Sequence, residues 1–568
     1  MRFPLPACAT ASRVNTHISA PSATTIPTVQ PIAHPGILES RNVISPVHVA
    51  ALAQALSQHP DQGLVSYLVQ GFSNGFSLGV RGTVSQGTLH NLKSALDNPE
   101  GVSRAIKKEV ARGHTHGPFL EPPFNPFHTS PIGVVEKKDG SFRLILDLSD
   151  NHAGSVNECI AIEDFSISYC SVDDAVALVI EEGPQAYMAK VDIQHAFRLC
   201  PVRPDEWPLL CFRWVGAFYF DSRLPFGLRS SPFIFNTFAD ALLWCLSNGV
   251  NVQYIIHYLD DFFFCRSSFA ACQADMRRLM AFFTHLGVPL APDKVCGPVT
   301  RLTFLGIEID TAERMLRLPE DKVSALMSLI TSWKDRRRCT KRELLSLIGH
   351  LSFAAKVVKP GRLFLRRLID ISTTVHHLNH RIHLSMEARE DIRWWLSFLP
   401  SWNGVSLFQE PPISSNDLHL YTDASSIGMG GVFGNRWFSV PLSLFQDVDW
   451  FPCGEPFNVN FWELLALVVA FFTWQQYFSD RQLIIHTDNL SLVYIWSRGS
   501  RNHQIMRLVR ALFTRAAHLN ANIVLQHIPG HINILADSLS RLQVHRFRED
   551  HPTADPDPSP IPTDLWHL

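Results

Sequence analysis

The chain has 568 residues, enough for several folded units of roughly 100 to 200 residues each. Apolar residues at 46% and charged residues at 18% exclude a wholly disordered or fibrous polymer. Lys and Arg number 50 against 52 Asp and Glu, a formal charge of −2, so contact with a polyanion must come from local basic clusters rather than from global charge.

Residues 1–45 are rich in Ala, Ser, Thr and Pro and are expected to form a disordered leader; the first residues make a poor signal peptide because two prolines interrupt a short apolar stretch. Apolar residues recur at helical spacing from Val47 to about Leu68, and Gly71, Gly75, Gly79 and Gly82 then mark turns, which together predict a helical extension over 46–115. Over 116–318 short β-rich runs alternate with longer helical ones, the pattern of a mixed α/β domain. Residues 319–415 read as helical and basic: between Lys334 and Leu368 there are 11 Lys or Arg against 2 Asp or Glu. Strands return between 416 and 543, giving a second α/β unit, and the Pro- and Asp-rich segment 544–568 is expected to be a disordered tail. The apolar run 461–474 is shorter than the ~20 residues of a bilayer span and carries Glu463, so no membrane segment is expected. The 11 cysteines show no CxxC pair, which fits reduced thiols and an intracellular place, cytoplasmic and/or nuclear.

Two sets of acids carry the chemistry. In the first α/β unit Asp192 follows the apolar strand YMAKV, and Asp260 and Asp261 stand in HYLDDFFF at the junction of two apolar strands. Adjacent carboxylates among buried aromatics repel one another and lose solvation, a cost best offset by a divalent cation. Hard oxygen ligands suit Mg²⁺ or Mn²⁺, the ions of phosphoryl transfer. The second set is Asp423 on a strand, Glu463 in FWELLAL on a helix, Asp488 in IIHTDN at a strand end, and Asp537 in INILADSLSR. Each lies inside a mainly apolar element, where an acid without a partner is unfavourable.

The motifs KVDIQHAF (190–197), LPFGLRSSPFIF (224–235), YLDD (258–261) and TFLGIEI (303–309), in that order, resemble the reverse transcriptases of retroelements. The resemblance implies a right-hand polymerase of fingers, palm and thumb in which Asp192, Asp260 and Asp261 hold two metal ions. It implies that Phe197 lies beneath the incoming sugar and selects deoxynucleotides. It also implies that Lys137 or Lys138, with Arg143, meets the triphosphate from the hairpin VVEKKDGSFRLILDL, and that Gly227, in a turn with Ser230, Ser231 and Pro232, lets substrate approach the backbone. The second acidic set resembles the ribonuclease H fold, whose Asp-Glu-Asp-Asp set binds two divalent ions; on that resemblance Asp423, Glu463, Asp488 and Asp537 are ligands, and His531 or His527 assists turnover.

Leu344, Ile348, Leu351 and Ala355 form an apolar stripe in the basic stretch, which reads as thumb helices packed on one face and tracking phosphates with Arg336, Arg337, Arg338, Lys341, Arg342, Lys356 and Arg362 on the other. The histidines from His376 to His383 read as a polar helix face rather than a metal site. The stretches 59–82, 147–157 and 346–368 look like DIRS-like retrotransposons, which pair such a polymerase with a tyrosine recombinase encoded elsewhere. The expectation is an RNA-directed DNA polymerase with coupled ribonuclease H, acting on deoxynucleoside triphosphates, an RNA template, a DNA primer and an RNA–DNA hybrid, with two ions per site. The competing reading is a catalytically inactive or domesticated relic that binds nucleic acid, for which losses among the seven acids would be expected; all seven are present.

Overall fold

The structure is a computed structural model and describes residues 32–33, 43–85, 90–137, 140–149, 154–402, 406–407, 418–445, 458–479, 481–498, 500, 502–519, 521–563 and 565. The expected leader lies outside the described residues except for 32–33 and 43–45, as does Lys138. The chain divides into two compact units, Met1–Leu305 and Gly306–Leu568. This break precedes the expected palm boundary at 318, because Ile307–Asp310 pairs with Met315–Arg317 in a local antiparallel hairpin belonging to the second unit.

In the first unit the expected helix from Val47 is two helices, Val49–Ala55 and Gln62–Asn74. The break falls at Pro60, which disfavours helical backbone at His59, and Asp61 restarts the helix by accepting a hydrogen bond from Leu64 N at 2.9 Å. After the short helix Lys93–Asp97, the helix Pro99–Ala111 carries Pro at its start, where the missing N–H costs nothing. The hairpin β1 (Ile132–Glu136) and β2 (Phe142–Leu146) follows. The central sheet has four antiparallel strands: β3 (Tyr187–Asp192), β4 (Ile255–Tyr258), β5 (Asp261–Arg266) and β6 (Cys296–Val299), in the order β6-β3-β5-β4. The run Phe262, Phe263 and Phe264 is fully buried, one side against Phe283 of the helix Phe269–His285 and the other against Phe304. A strand covered on both faces carries such an unbroken apolar run, and its rigidity fixes the acids at its end.

After the hairpin of Ile307–Asp310 and Met315–Arg317, the second unit continues with helices that include Glu320–Trp333, Lys341–Ala354 and Met386–Trp402. Thr340 and Glu343 form a reciprocal capping box at the start of the second of these. Its buried stripe runs through Leu344, Leu347, Leu351 and Ala354, with Ala355 also buried, so the helix is turned slightly from the expected face and Ile348 is only half-buried. The expected second α/β fold is a five-stranded mixed sheet: β7 (Leu418–Ala424), β8 (Gly428–Phe433), β9 (Arg436–Pro441), β10 (Gln482–Thr487) and β11 (Asn522–His527), in the order β9-β8-β7-β10-β11. The pairs β7–β10 and β10–β11 are parallel and the other two antiparallel. The helix Val459–Trp474 is buried almost all round, against the sheet and the helix His503–His518. Trp394 of Met386–Trp402 stacks on Phe364 at 3.7 Å and donates to Thr514 at 3.1 Å, joining the basic helical region to the sheet domain.

The expectation of a disordered tail does not hold over 544–563. Val544–Asp550 is helical with Phe547 buried, and the chain beyond it lies along the edge strand β9. Ser559 N donates to Trp437 O at 2.7 Å, Trp437 Nε1 to Asp555 O at 2.8 Å, and Trp474 Nε1 to Ser559 Oγ at 3.0 Å. The Pro- and Asp-rich composition suggested disorder, whereas the buried indole N–H groups need acceptors and the open edge needs cover. Among the described residues no helix is long and apolar enough to cross a membrane.

Candidate active sites

The register of β3 and β5 places Asp192 directly opposite Asp261. Asp260 stands in the two-residue turn between Tyr258 and Asp261, where Leu259 has φ 52°, a conformation costly for a side chain branched beyond Cβ and held here by the surrounding sheet. The Asp260 carbonyl accepts from Ile193 N at 2.9 Å, tying the turn to the chain just after Asp192. The three expected acids thus share one end of the sheet. Burial, then the charge of Asp192, raises Asp260 above the usual carboxylate range. Asp261 is pushed up to about 6 by burial, with Asp192 and Asp260 adding to the shift and Lys190 opposing it. Lys294, which sequence reasoning missed, places Nζ 2.7 Å from Asp192 Oδ2. Burial works against the Lys294 charge, but the hydrogen bond and the field of the three acids outweigh it and raise its pKa. A concentration of carboxylates that resists ionisation and draws an ammonium into it is a donor set suited to a cation.

Phe197 packs against Phe226 at 5.3 Å and Phe235 at 5.9 Å, and the Arg143 guanidinium lies over the Phe226 ring at 4.6 Å. The structure therefore connects two expected nucleotide-binding residues, Phe197 and Arg143, through the ring of Phe226. Lys137 is exposed at the tip of the hairpin, its N–H donating to Ser141 O at 2.7 Å. Gly227 has φ 107°, and a Cβ there would stand 2.0 Å from the Leu146 carbonyl. The space that the absent side chain leaves is thus taken by the protein's own hairpin, an added reason for glycine beyond the approach of substrate. Asn157, also missed, fixes the same turn by donating to Gly227 O at 2.8 Å and accepting from Arg229 N at 2.8 Å.

In the second unit the parallel pairing of β7 and β10 brings Asp423 and Asp488 to the same end, and Glu463 reaches them from the buried helix. One oxygen from each of Asp423, Glu463 and Asp488 lies within 4.8 Å of the others. Glu463 Oε2 is buried with no hydrogen-bond partner. Burial raises Glu463 to about 9, with Asp423 and Asp488 adding to the shift. Burial likewise raises Asp423 to about 6, while the hydroxyl of Ser540 donates to it and opposes the shift. An orphaned buried carboxylate oxygen beside two further carboxylates fits a divalent ion. Asp537 is not part of this close group: its carboxylate is half-buried and accepts from Arg541 Nε at 2.8 Å, although its charge still acts on Asp423. His527 Nε2 lies 3.2 Å from the Asp488 carbonyl. His531 is exposed and follows Gly530, where a Cβ would be 3.1 Å from Asp488 Oδ2, so of the two candidate histidines His527 is the one whose side chain contacts Asp488. Asn533, missed in the sequence, donates to Thr422 O at 3.0 Å and anchors the loop to β7 beside Asp423.

Of the expected phosphate-tracking residues, Arg337, Arg338, Arg342, Lys356 and Arg362 are exposed. Arg336 is instead paired with Glu343 at 2.7 Å, and Lys341 donates to Val375 O at 2.7 Å. Capping the helix and closing the adjacent loop occupy these two charges.

Residues 135–309 match the family described as reverse transcriptase (RNA-dependent DNA polymerase), and residues 414–514 match the RNase H-like domain found in reverse transcriptase. The chain therefore carries a reverse transcriptase domain followed by an RNase H-like domain. Over 435 residues the chain is 22% identical to the retrovirus-related Pol polyprotein from transposon opus of Drosophila melanogaster, covering 74% of this chain and 40% of that protein. It is 25% identical over 213 residues to the Gag-Pro-Pol polyprotein of squirrel monkey retrovirus, covering 36% and 10% respectively. With Protein P of heron hepatitis B virus it is 25% identical over 236 residues, covering 41% and 28%. The chain thus spans less than half the length of each of these relatives. Among solved structures it is similar to a foamy viral protease-reverse transcriptase in complex with double-stranded DNA, at a TM-score of 0.48 and 15% identity, covering 85% of this chain and 82% of that one.

Proposed function

We propose that the chain is the RNA-directed DNA polymerase of a retrotransposon, with a ribonuclease H that cleaves the RNA strand of the RNA–DNA hybrids it makes. The observation that carries this reading is a pair of separate acidic clusters, one in each matched domain: Asp192 facing Asp261 across two strands, and Asp423, Glu463 and Asp488 within 4.8 Å. Two Mg²⁺ or Mn²⁺ ions per site fit these donors, with Asp192, Asp260 and Asp261 holding them in the first and Asp423, Glu463 and Asp488, joined by Asp537, in the second. Such ions stabilise charge on the attacking and leaving oxygens of a phosphoryl transfer.

The remaining work falls to the chain's own residues. Arg143, with Lys137 or Lys138, receives the triphosphate of a deoxynucleotide through charge-assisted hydrogen bonds. Phe197 fills the space that a 2′-hydroxyl would need, and Gly227 keeps the neighbouring turn close. Arg337, Arg338, Arg342, Lys356 and Arg362 follow the phosphates of the RNA template and DNA primer without reading sequence, with Arg336 and Lys341 supporting the same surface. In the second site His531 or His527 moves a proton beside Asp488 as product leaves. Each hybrid made at the first site is a substrate for the second.

The stretches 59–82, 147–157 and 346–368 support a DIRS-like element and with it a separately encoded tyrosine recombinase as partner, and the cysteines without a CxxC pair favour an intracellular place, cytoplasmic and/or nuclear. The test is a separation of activities in the whole chain. Asp260→Asn with Asp261→Asn is expected to abolish primer extension and leave hybrid cleavage, whereas Glu463→Gln is expected to do the reverse. Loss of neither activity in its matching variant would overturn the assignment of the two sites.

A further inference from the structure

The seven residues from Ile193 to Leu199 run from the acid at the end of β3 to the ring of Phe197 and beyond. Two consecutive residues there, His195 at φ 68° and Ala196 at φ 32°, are non-glycine residues with left-handed backbone. Such geometry costs on the order of 1 to 3 kcal/mol per residue and persists only where its surroundings hold it. One end is held by main-chain hydrogen bonds, Ile193 N to Asp260 O at 2.9 Å and Gln194 N to Pro289 O at 2.8 Å.

The other end is held by Arg198, immediately after Phe197 and only 4% exposed. Its guanidinium donates to Asp221 Oδ2 at 2.7 Å, and its Nε lies 3.3 Å from Glu109 Oε2. Each carboxylate is itself fixed: Asp221 accepts from Thr115 Oγ1, and Glu109 contacts His114 Nδ1 at 3.0 Å and Arg112 at 3.4 Å. Two elements therefore meet one buried guanidinium, the helix Pro99–Ala111 and the strand Ala217–Asp221, and the paired strand Thr115–Phe119 steadies the second of them. A hydrogen bond to Asp221 and the charge of Glu109 beside Nε together hold this buried guanidinium in place, which a surface pair does not. Removing it would leave the buried Asp221 without its cation and the half-buried Glu109 with Arg112 and His114 alone.

We propose that Arg198 is a positioning residue: with Asp221 and Glu109 it holds the strained turn so that the Phe197 ring stands at a fixed place relative to Asp192, and it thereby sets discrimination between deoxy- and ribonucleotides. The helix Pro99–Ala111 is then part of the substrate-selecting apparatus rather than an appendage. This inference rests on the polymerase reading and on Phe197 as the ring beneath the sugar.

The test compares incorporation of dTTP and UTP on one template by the whole chain, as the ratio of their kcat/KM values, with Mg²⁺ present. Arg198→Met is expected to lower the deoxy-to-ribo ratio by about tenfold to a hundredfold, since small displacements at a reacting site carry effects of that order. Arg198→Lys, which keeps one charge for Asp221, should restore part of the ratio, and the milder Glu109→Gln should lower it in the same direction. In a Phe197→Ala background, where the ring is gone, Arg198→Met should leave the ratio where Phe197→Ala alone puts it. Equal loss of activity toward both nucleotides with an unmoved ratio, or equal ratio losses with and without Phe197, would overturn the proposal and assign Arg198 a merely structural role. If Glu109→Gln folds and extends primers yet discriminates as the native chain does, the proposal also fails. A native chain that extends no primer at all would instead refute the polymerase reading beneath it.

Discussion

Glutamine in place of Glu463 should stabilise the metal-free chain at neutral pH while abolishing its response to magnesium. Glu463 is 5% exposed, one oxygen has no partner, and two other carboxylates stand within 4.8 Å. Its pKa is raised from an ordinary 4.5 to about 9, chiefly by burial. Between those values the folded chain keeps the proton and the unfolded chain loses it, so the contribution of this group to stability falls as pH rises. At about 1.4 kcal/mol per pH unit the cost to the folded state at pH 7 is about 3 kcal/mol. Glutamine has no such titration, so the slope of stability against pH should flatten above 4.5, apart from the smaller contributions of Asp423 and Asp391 below about 6. The gain is reduced by whatever the extra amide N–H loses in an apolar site. Amide exchange of the helix Val459–Trp474 in the whole chain, between pH 5 and 8.5 in chelator, measures this locally. Magnesium at a hundred times its dissociation constant should add about 2.7 kcal/mol to the native chain and little to the variant. A variant with the native pH slope, or equal protection of both proteins by magnesium, would refute the reasoning.

Further outcomes follow from packing. Gly227→Ala sets a Cβ 2.0 Å from the Leu146 carbonyl at a φ of 107°, so primer extension should fall sharply while hybrid cleavage by the same chain persists; equal loss of both would point to global unfolding. Asp391 is 2% exposed and lies 3.4 Å from Arg367 and 3.3 Å from Arg510, both half-buried, yet burial outweighs the two cations and raises it to about 6, so Asp391→Asn should destabilise the second unit by only about 1 kcal/mol at pH 7, checked by urea unfolding of the full chain. Removal of residues 551–568 exposes the edge of β9 and two indole N–H groups, so faster amide exchange along Arg436–Pro441 and concentration-dependent association are expected; light scattering checks the second.

The acids were legible because each interrupts an apolar run: Asp192 after YMAKV, Asp260 and Asp261 before FFF, and Glu463 within FWELLAL. An acid in such a run announces a cost that something must offset. What brings the acids together was not legible, since strand register and the parallel pairing of β7 with β10 are tertiary facts. Lys294 is 102 positions from Asp192, and Arg198 meets partners on two other elements; ordinary basic residues in mixed sequence carry no local sign of such pairing. Asn157 and Asn533 act through single hydrogen bonds to distant main chain, which no periodicity records. The tail misled for the opposite reason: its composition is that of a disordered segment, yet it is ordered by Trp437 and Trp474, more than a hundred and about eighty positions away respectively. Asp537 was read with the other acids from its apolar setting as well as by resemblance; in the structure its carboxylate accepts from Arg541 while its charge still acts on Asp423.

The central claim, that this chain copies RNA into DNA at the carboxylates joined by β3 and β5, is tested most directly by extension of a DNA primer on an RNA template by the purified chain in Mg²⁺, beside the variant carrying Asp260→Asn and Asp261→Asn. Extension by the native chain and none by the variant, with both binding the template–primer equally, is the expected result. Binding without extension by either protein would contradict the claim and identify a nucleic-acid-binding protein that has lost its polymerase.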